Sequence, residues 1–314
     1  MPLLAGQTVP SPPALPTGPA RPTPKRFTWT SAGGDVLDLS DGEGYTCMPG
    51  REGFGVVERE VAYDALPDGG GALRSIRDKV RVIALPLRVQ GATQEEYTAR
   101  LRRLQAAMRH PRRSGIEVPG LLTVALPDGS RRSISAYYNG GLSTTEDILD
   151  DFLLRMSTFP NFELLALDPY WAGGQMSGGW ESSGGGAFFG TMPRQLAASQ
   201  VLGDVVVDLP GDADSYPIWT ITGPGTPTIT NVTTGRSFEF STAVSSGRTV
   251  TVDTRPDRLT VVDDLGADLY GSVASFPDFW PLEPGPNELT VELAGSTSAS
   301  SVSFTADVRW QAGW

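Results

Sequence analysis

The sequence predicts a mainly β protein of two domains: an N-terminal β-domain that carries one helix, and a C-terminal jelly-roll or β-sandwich. Three observations predict this class. Short runs of alternating apolar and polar residues recur along most of the chain. The 37 glycines and 26 prolines supply turns between short strands. At 314 residues the chain exceeds the usual size of a single core, so two domains are expected.

Charge also divides the chain near residue 170. Residues 1–170 carry 19 basic and 20 acidic side chains, whereas residues 171–314 carry 6 and 16. This asymmetry predicts a domain break. An acidic C-terminal half repels phosphate backbones, so we expect no nucleic acid partner. No apolar run reaches the length of about 18 residues that a membrane helix needs, so we expect no membrane insertion.

Residues 1–26 are proline-rich and predict an extended, polyproline-like arm, either free or docked on a neighbouring subunit. The prolines leave no apolar run there, so a secretion signal is not expected. The first β-domain is predicted over residues 27–171. Alternation over residues 56–63 predicts a strand with one buried face. A second long strand over residues 78–90 contains Pro86, which requires an edge position or a bulge.

One helix is predicted, over residues 94–110. Thr93 is the expected N-cap, and Glu96 completes a capping box three positions later. Arg109 suits the last turn and Pro111 ends the helix. Four apolar residues at helical spacing form a stripe that predicts packing on a sheet. They are Tyr97, Leu101, Leu104 and Met108.

Turns and composition place the remaining boundaries. Asp128-Gly129 predicts a hairpin between two strands. Residues 172–186 are rich in Gly and Ser, which predicts a linker or a mobile loop around Trp180. Residues 187–314 contain about eight short strand patterns without a helical period, which predicts the jelly roll or sandwich.

Few residues suit catalysis or metal binding. The one histidine, His110, follows the helix, where the helix dipole favours a capping role over a catalytic one. The one cysteine, Cys47, excludes an intrachain disulfide, and one residue of each type is too few for zinc. Glycine motifs for nucleotides are absent. The sequence therefore predicts no enzyme, no cofactor, and no catalytic or metal-binding residues.

Carboxylate pairs are the one grouping that could serve a glycosidase. The candidates are Asp150-Asp151, Asp212 with Asp214, and Asp263-Asp264. Each pair is also typical of a turn or a strand end, which is the interpretation we favour. Asp212 and Asp214 could contribute to a calcium site, although the EF-hand spacing is missing.

Six tryptophans in the second half leave a binding function open. They are Trp171, Trp180, Trp219, Trp280, Trp310 and Trp314. Exposed tryptophans stack on sugars or anchor interfaces, whereas buried ones fill a core. Trp219 and Trp310 lie in strand patterns, which favours the core. Trp280 and Trp314 lie near a turn or the terminus, which suits an interface better. A carbohydrate-binding β-sandwich is therefore the alternative function.

Four segments of the C-terminal half carry a resemblance to a known family. They are residues 216–223, PTITNVTTG at 227–235, VTVD at 250–253 and LEPGPNELTV at 282–291. Their succession resembles the distal tail (Dit) protein family of long-tailed bacteriophages. The N-terminal half carries a looser version, with Gly55 before a strand and a helix that begins at Gln94. These residues suit turns and strands and supply no active site.

The resemblance implies a split-barrel-like N-terminal domain and a galectin-like jelly-roll C-terminal domain. It also implies a structural subunit, a hexameric ring at the distal end of the virion tail, synthesised in the host cytoplasm. The implied partners are further copies of the chain, the tail tube, the tail-tip hub, the tape-measure protein and receptor-binding proteins. No large insertion interrupts the C-terminal half, so an added carbohydrate-binding module is not expected.

Overall fold

The computed structural model describes residues 25–143, 155–181, 201–274 and 277–314. Strands dominate these ranges, and the predicted mainly β class is confirmed. Residues 1–24 of the predicted arm, residues 182–186 of the predicted linker and Asp150-Asp151 lie outside the described residues.

The first half contains one helix, α1 (Gln94–Ala107), and fourteen strands in its described part. The strands are β1 (Arg26–Thr30), β2 (Val36–Asp38), β3 (Tyr45–Cys47), β4 (Arg59–Ala65), β5 (Gly71–Asp78), β6 (Arg81–Ala84), β7 (Leu87–Gln90), β8 (Arg112–Arg113), β9 (Ile116–Glu117), β10 (Gly120–Ala125), β11 (Arg131–Gly140), β12 (Met156–Phe159), β13 (Glu163–Ala166) and β14 (Trp171–Glu181).

The described part of the second half contains eight strands and a short 3-10 helix, Tyr270–Ser272. The strands are β15 (Val201–Leu209), β16 (Ile218–Thr222), β17 (Thr226–Asn231), β18 (Arg236–Glu239), β19 (Thr249–Asp253), β20 (Thr260–Asp263), β21 (Gly285–Ala294) and β22 (Ser301–Trp310). The number agrees with the eight strand patterns in the sequence.

Helix α1 begins as predicted and ends earlier. Thr93 Oγ1 accepts a hydrogen bond from the backbone N–H of Glu96 at 3.2 Å, which caps the first turn. The helix ends at Ala107 rather than residue 110, because Pro111 disfavours helical backbone at the residue before it. Tyr97 and Leu104 are buried on the sheet side.

No helix in the described ranges is long and apolar enough to cross a bilayer.

The largest sheet joins both halves of the chain. Within the described residues its main path runs β2-β1-β10-β11-β14-β22-β16-β19-β20, with β13 on β11 and β6 on β13. All of its pairs are antiparallel. A second sheet, β15-β21-β17-β18, faces the C-terminal part of the first. The C-terminal half is thus a two-layer β-sandwich.

Buried apolar residues form two clusters, one in each half. The first cluster includes Trp29, Ile83, Leu104 and Trp171, and helix α1 covers part of it. The second includes Trp219 and other side chains between the two C-terminal sheets. We propose to keep the domain ranges 27–171 and 187–314, since the first contains one whole cluster and the second contains every buried member of the other except Trp180.

Strand β14 corrects the prediction of a linker or loop over residues 172–186. Residues 172–181 continue β14 and pair along β22, from Trp171 with Trp310 to Glu181 with Ser301. Glycine weakens a strand, yet a long backbone ladder with β22 and the burial of Trp180 hold this one. Trp171 lies in the first cluster and Trp180 in the second, so the strand itself connects them.

The other long pattern, over residues 78–90, divides at Pro86 into β6 and β7. This is the break that proline requires, because it cannot donate a hydrogen bond to a sheet.

Two of the four family-like segments, residues 227–235 and 282–291, meet in a buried polar network. Asn287 Nδ2–H donates to the carbonyl of Glu283 at 2.7 Å, and Asn287 Oδ1 accepts from the Glu283 N–H at 3.0 Å. Asn231 Nδ2–H donates to Asn287 Oδ1 at 3.3 Å, and Asn231 Oδ1 accepts from the Thr234 N–H at 3.2 Å. Both asparagines are fully buried. The motif therefore fixes two turns to each other.

Candidate functional site

Strands β4 and β5 form a hairpin that no other described strand joins. Every residue of β4 is exposed, and in β5 only Ser75 is partly covered. An isolated two-stranded hairpin is only marginally stable in water. The prediction of a buried face over residues 56–63 is wrong for β4 within the single chain, because no described residue covers it.

One face of this hairpin is apolar. Val61 pairs with Ile76, and Tyr63 pairs with Leu73. Directly paired residues share a face, as do Val61 and Tyr63, which are two apart on β4. The register shifts between Ala62 and Tyr63, and this bulge takes up the extra residue between Leu73 and Ile76 on β5. These four side chains, the hairpin's apolar face, are 52–66% exposed. Contiguous exposed apolar surface is typical of an interaction site. The hairpin's apolar face is therefore the first candidate functional surface.

The root of the hairpin is tied to the segment that precedes β14. Arg59 Nε–H donates to Asp78 Oδ1 at 2.9 Å and joins the first residue of β4 to the last of β5. The hydroxyl of Tyr170 donates to Asp78 Oδ2. Burial and the hydrogen bond to Asp78 raise the pKa of Tyr170, so this hydroxyl keeps its proton at neutral pH.

Arg309, in β22, lies between the two halves. Its guanidinium is 4.3 Å from the centre of the Tyr170 ring and 5.4 Å from that of Tyr216. It pairs with Asp168, and Nη1–H donates to the carbonyl of Asp214 at 3.0 Å. Cation–π contacts of this kind stabilise by about 0.5–2 kcal/mol. Tyr170 therefore contacts both the hairpin root and a strand of the C-terminal sandwich.

Arg81 forms a second connection, and its acceptors are backbone carbonyls. Nε–H donates to the Pro169 carbonyl at 2.6 Å, and Nη2–H donates to the Gln311 carbonyl at 2.6 Å. Nη1–H donates to the carbonyls of Gly53 and Gly55 at 2.6 and 2.8 Å. Burial lowers the pKa of Arg81, but a guanidinium stays protonated, and these carbonyls replace its lost water.

Residues 311–314 pack on the first cluster. Arg132 Nη1–H donates to the carbonyl of Ala312 at 2.5 Å and to that of Trp314, and its guanidinium is 4.2 Å from the centre of the Trp310 ring. The Gly313 N–H donates to the Phe54 carbonyl at 2.8 Å. The connection between the halves thus includes the segment that follows β22.

His110 has a structural role that differs from the predicted cap. Its Nε2 accepts the backbone N–H of Tyr138 at 2.8 Å. Nδ1 therefore carries the proton and donates to the Val118 carbonyl at 3.2 Å. The His110 ring joins the segment after α1 to β11.

Burial raises the pKa of Cys47 to about 12, which disfavours the reactive thiolate.

The predicted carboxylate pairs serve turns and ion pairs where they are described. Asp212 Oδ1 accepts the Gln311 N–H at 2.6 Å. Burial, followed by the charge of Glu283, raises the pKa of Asp214. Asp263 and Asp264 both pair with Arg248. In the described ranges no three His, Cys, Asp or Glu side chains are grouped closely enough to hold a metal ion.

The tryptophans divide between core and surface. Trp171, Trp180, Trp219 and Trp280 are buried, and Trp310 is half-buried between the two clusters. Burial of Trp280, at 1% exposure, corrects the expectation that it suits an interface. Trp314 is 53% exposed, with Lys25 Nζ 4.9 Å from its ring centre. The buried rings cannot stack on a sugar.

Sequence reasoning missed the surfaces that the structure makes prominent. The alternation over residues 56–63 located the strand but could not show that its apolar side is free. Arg81 and Arg309 gave no signal, because single arginines in strands are common on sheet surfaces. An apolar run beside a glycine triplet at Gly69–Gly71 was the one available sign of a projecting hairpin.

The comparison with protein families matches the sandwich. Residues 210–310 match the model of a family described as the siphovirus-type tail component, C-terminal domain. This part of the chain is similar to a siphovirus tail-component domain. All four segments of the sequence motif lie inside this match, so the predicted resemblance to the distal tail protein family is confirmed.

Two of the solved structures that match this chain are phage proteins. The first is phage SPP1 Dit (gp 19.1), described as a paradigm of the hub adsorption apparatus in phages that infect Gram-positive bacteria. It matches with a TM-score of 0.62 and 15% sequence identity, and the match covers 89% of this chain and 98% of that chain. It shares the fold. The second is the phage P2 baseplate in its activated conformation with Ca. It matches with a TM-score of 0.49 and 10% sequence identity, and the match covers 90% of this chain and 98% of that chain. No curated protein sequence matches.

Proposed function

We propose that this chain is a non-enzymatic structural subunit of a bacteriophage tail that assembles into a hexameric ring at the distal end of the tail. The ring would join the tail tube to baseplate, tape-measure and receptor-binding components. The hairpin's apolar face carries this proposal, because a projecting strand pair with four exposed apolar side chains needs a partner surface. The stoichiometry of six comes from the family resemblance.

The rigid connection between the halves supports the same role. Arg81, Arg132 and Arg309 hold the C-terminal segment and the sandwich to the first cluster. A subunit that joins the tail tube to the baseplate must carry mechanical force from one of its ends to the other. A sheet that both halves share connects them through hydrogen-bonded strands. The carbohydrate-binding alternative loses most of the observation that motivated it, since four of the six tryptophans are buried and Trp314 alone is more than half exposed.

Mass photometry of the purified full chain tests the ring. The wild type should form hexamers, and V61E with I76E should abolish them, because buried carboxylates would face the partner surface. The matched control is V206E, since Val206 is an exposed valine on β15 of the C-terminal half. A wild type that stays monomeric at all concentrations, both alone and in tail tips, would contradict the proposal.

A further inference from the structure

A row of apolar side chains faces outward on the N-terminal sheet, separate from the hairpin. Val82 is in register with Leu165, and Leu165 is in register with Tyr137, so the three form one line across β6, β13 and β11. Val82 is 46% exposed, and the other two are half-buried. Their strand neighbours Ile83 and Leu164 point into the first cluster. The line therefore lies on the opposite, outer face.

Two more apolar side chains extend this line toward the hairpin root. The last pair in the register of β6 with β13 is Arg81 with Ala166. Val80 precedes Arg81 and Leu167 follows Ala166, and both are more than half exposed. Solvent-facing positions of an antiparallel sheet are normally polar. We name the set Val80, Val82, Tyr137, Leu165 and Leu167 the outer row. Its composition is typical of a surface that another molecule covers.

The hairpin of the same chain does not cover the outer row, since its own apolar face is exposed along its whole length. The two surfaces nevertheless match. Neighbouring strands lie about 4.8 Å apart, so three strands give an outer row about 10 Å wide. The hairpin presents two cross-strand pairs about 7 Å apart along the strand. A hairpin can thus place both of its apolar pairs on the row.

We propose that the outer row of one subunit receives the hairpin's apolar face of a second copy of the chain. This rests on the proposed ring and names its contact. The two surfaces are different parts of the chain, so the contact is head-to-tail, and such a contact gives a ring when its rotation closes. A hairpin that packed on its symmetry mate would instead give a two-fold dimer, which has no place for six copies in one cycle.

Mixed cysteine crosslinking tests this contact. Chains that carry I76C and chains that carry V82C, both in a C47S background, are co-expressed with different tags and treated with a short bis-maleimide. Crosslinked dimers should form in the co-expressed pair, and each variant expressed alone should give none. I76C co-expressed with V206C is the matched control, because Val206 is equally accessible on the other half.

Each other outcome overturns the inference in a distinguishable way. Dimers in I76C alone would mean that hairpin packs on hairpin. Hexamers that persist without crosslinks above the control would mean that the ring forms through another surface, so the proposed function would survive and the outer row would not. If neither the C47S background nor the wild type forms oligomers, the ring itself fails.

Discussion

At the scale of single residues, Arg81 is the clearest case of a side chain whose role depends on distant chain segments. Four carbonyls from three segments accept its N–H groups, and no carboxylate is among these acceptors. Buried charges are normally paired, so the carbonyls must supply the whole electrostatic compensation. The sequence could not indicate this, because Arg81 alternates with apolar residues like any surface position of a strand.

Replacement of Arg81 by Met should destabilise the protein by about 2–4 kcal/mol, because it leaves buried carbonyls without donors. Urea unfolding should show a lower midpoint. Arg258→Met is the control, since Arg258 is 61% exposed and its ion pair is with the adjacent Asp257, and it should change stability by less than about 0.5 kcal/mol. Equal midpoints for the two variants would contradict the assigned role of Arg81.

The ion pair of Asp278 with Arg236 should make stability depend on pH. Arg236 donates two hydrogen bonds to this carboxylate, at 2.8 and 2.5 Å, and holds the pKa of Asp278 below its usual 3.8. A lowered pKa stabilises the folded state above the unfolded pKa, and this contribution is lost as the pH falls through the folded pKa.

Asp278→Asn should therefore lower the melting temperature at pH 7, by an amount equivalent to at most about 1 kcal/mol because both partners are partly exposed. The difference from the wild type should vanish as the pH falls to about 2. Asp257→Asn is the control and should show little change at either pH, since Asp257 is 70% exposed. A deficit of equal size at both pH values would exclude the ion pair as its cause.

At the scale of elements, local patterns predicted strands and α1 well and their environments less well. Thr93 and Pro111 bracketed the helix because capping and proline sterics act within a few residues. The alternation in β4 looked like that of a half-buried strand, yet the covering surface is absent from the single chain. Strand β14 was missed, because its glycines suggested a loop and its pairing with β22 bridges more than a hundred residues.

Tyr170 lets the hairpin root be tested separately from the sandwich. Tyr170→Phe removes the hydroxyl that donates to Asp78 and keeps the ring under Arg309. Loss of a hydrogen bond to a charged group costs about 1.5–3 kcal/mol. We expect faster amide hydrogen exchange in β4 and β5 and unchanged exchange in β16. Tyr270→Phe is the control, at a tyrosine 43% exposed. Unchanged exchange in the hairpin would contradict the anchoring role of Tyr170.

At the scale of the whole molecule, the domain bounds stay a prediction drawn from charge and composition. Charge and composition could not indicate that one sheet passes through both halves, from β2 to β20 in the described residues. The same limit applies to the candidate site. Apolar residues of the hairpin and the outer row are visible in the sequence, but their exposure follows from register across strands that are distant along the chain.

The closure of the first half by Gln311 has a consequence for the timing of synthesis. Arg81 meets its carbonyl partner 230 residues later in the chain. During translation, at about 5–20 residues per second, the first half must wait at least ten seconds or so for that partner. Long-range pairing of this kind also slows folding. In that interval the hairpin's apolar face would be exposed before Gln311 joins the first half, which favours premature association.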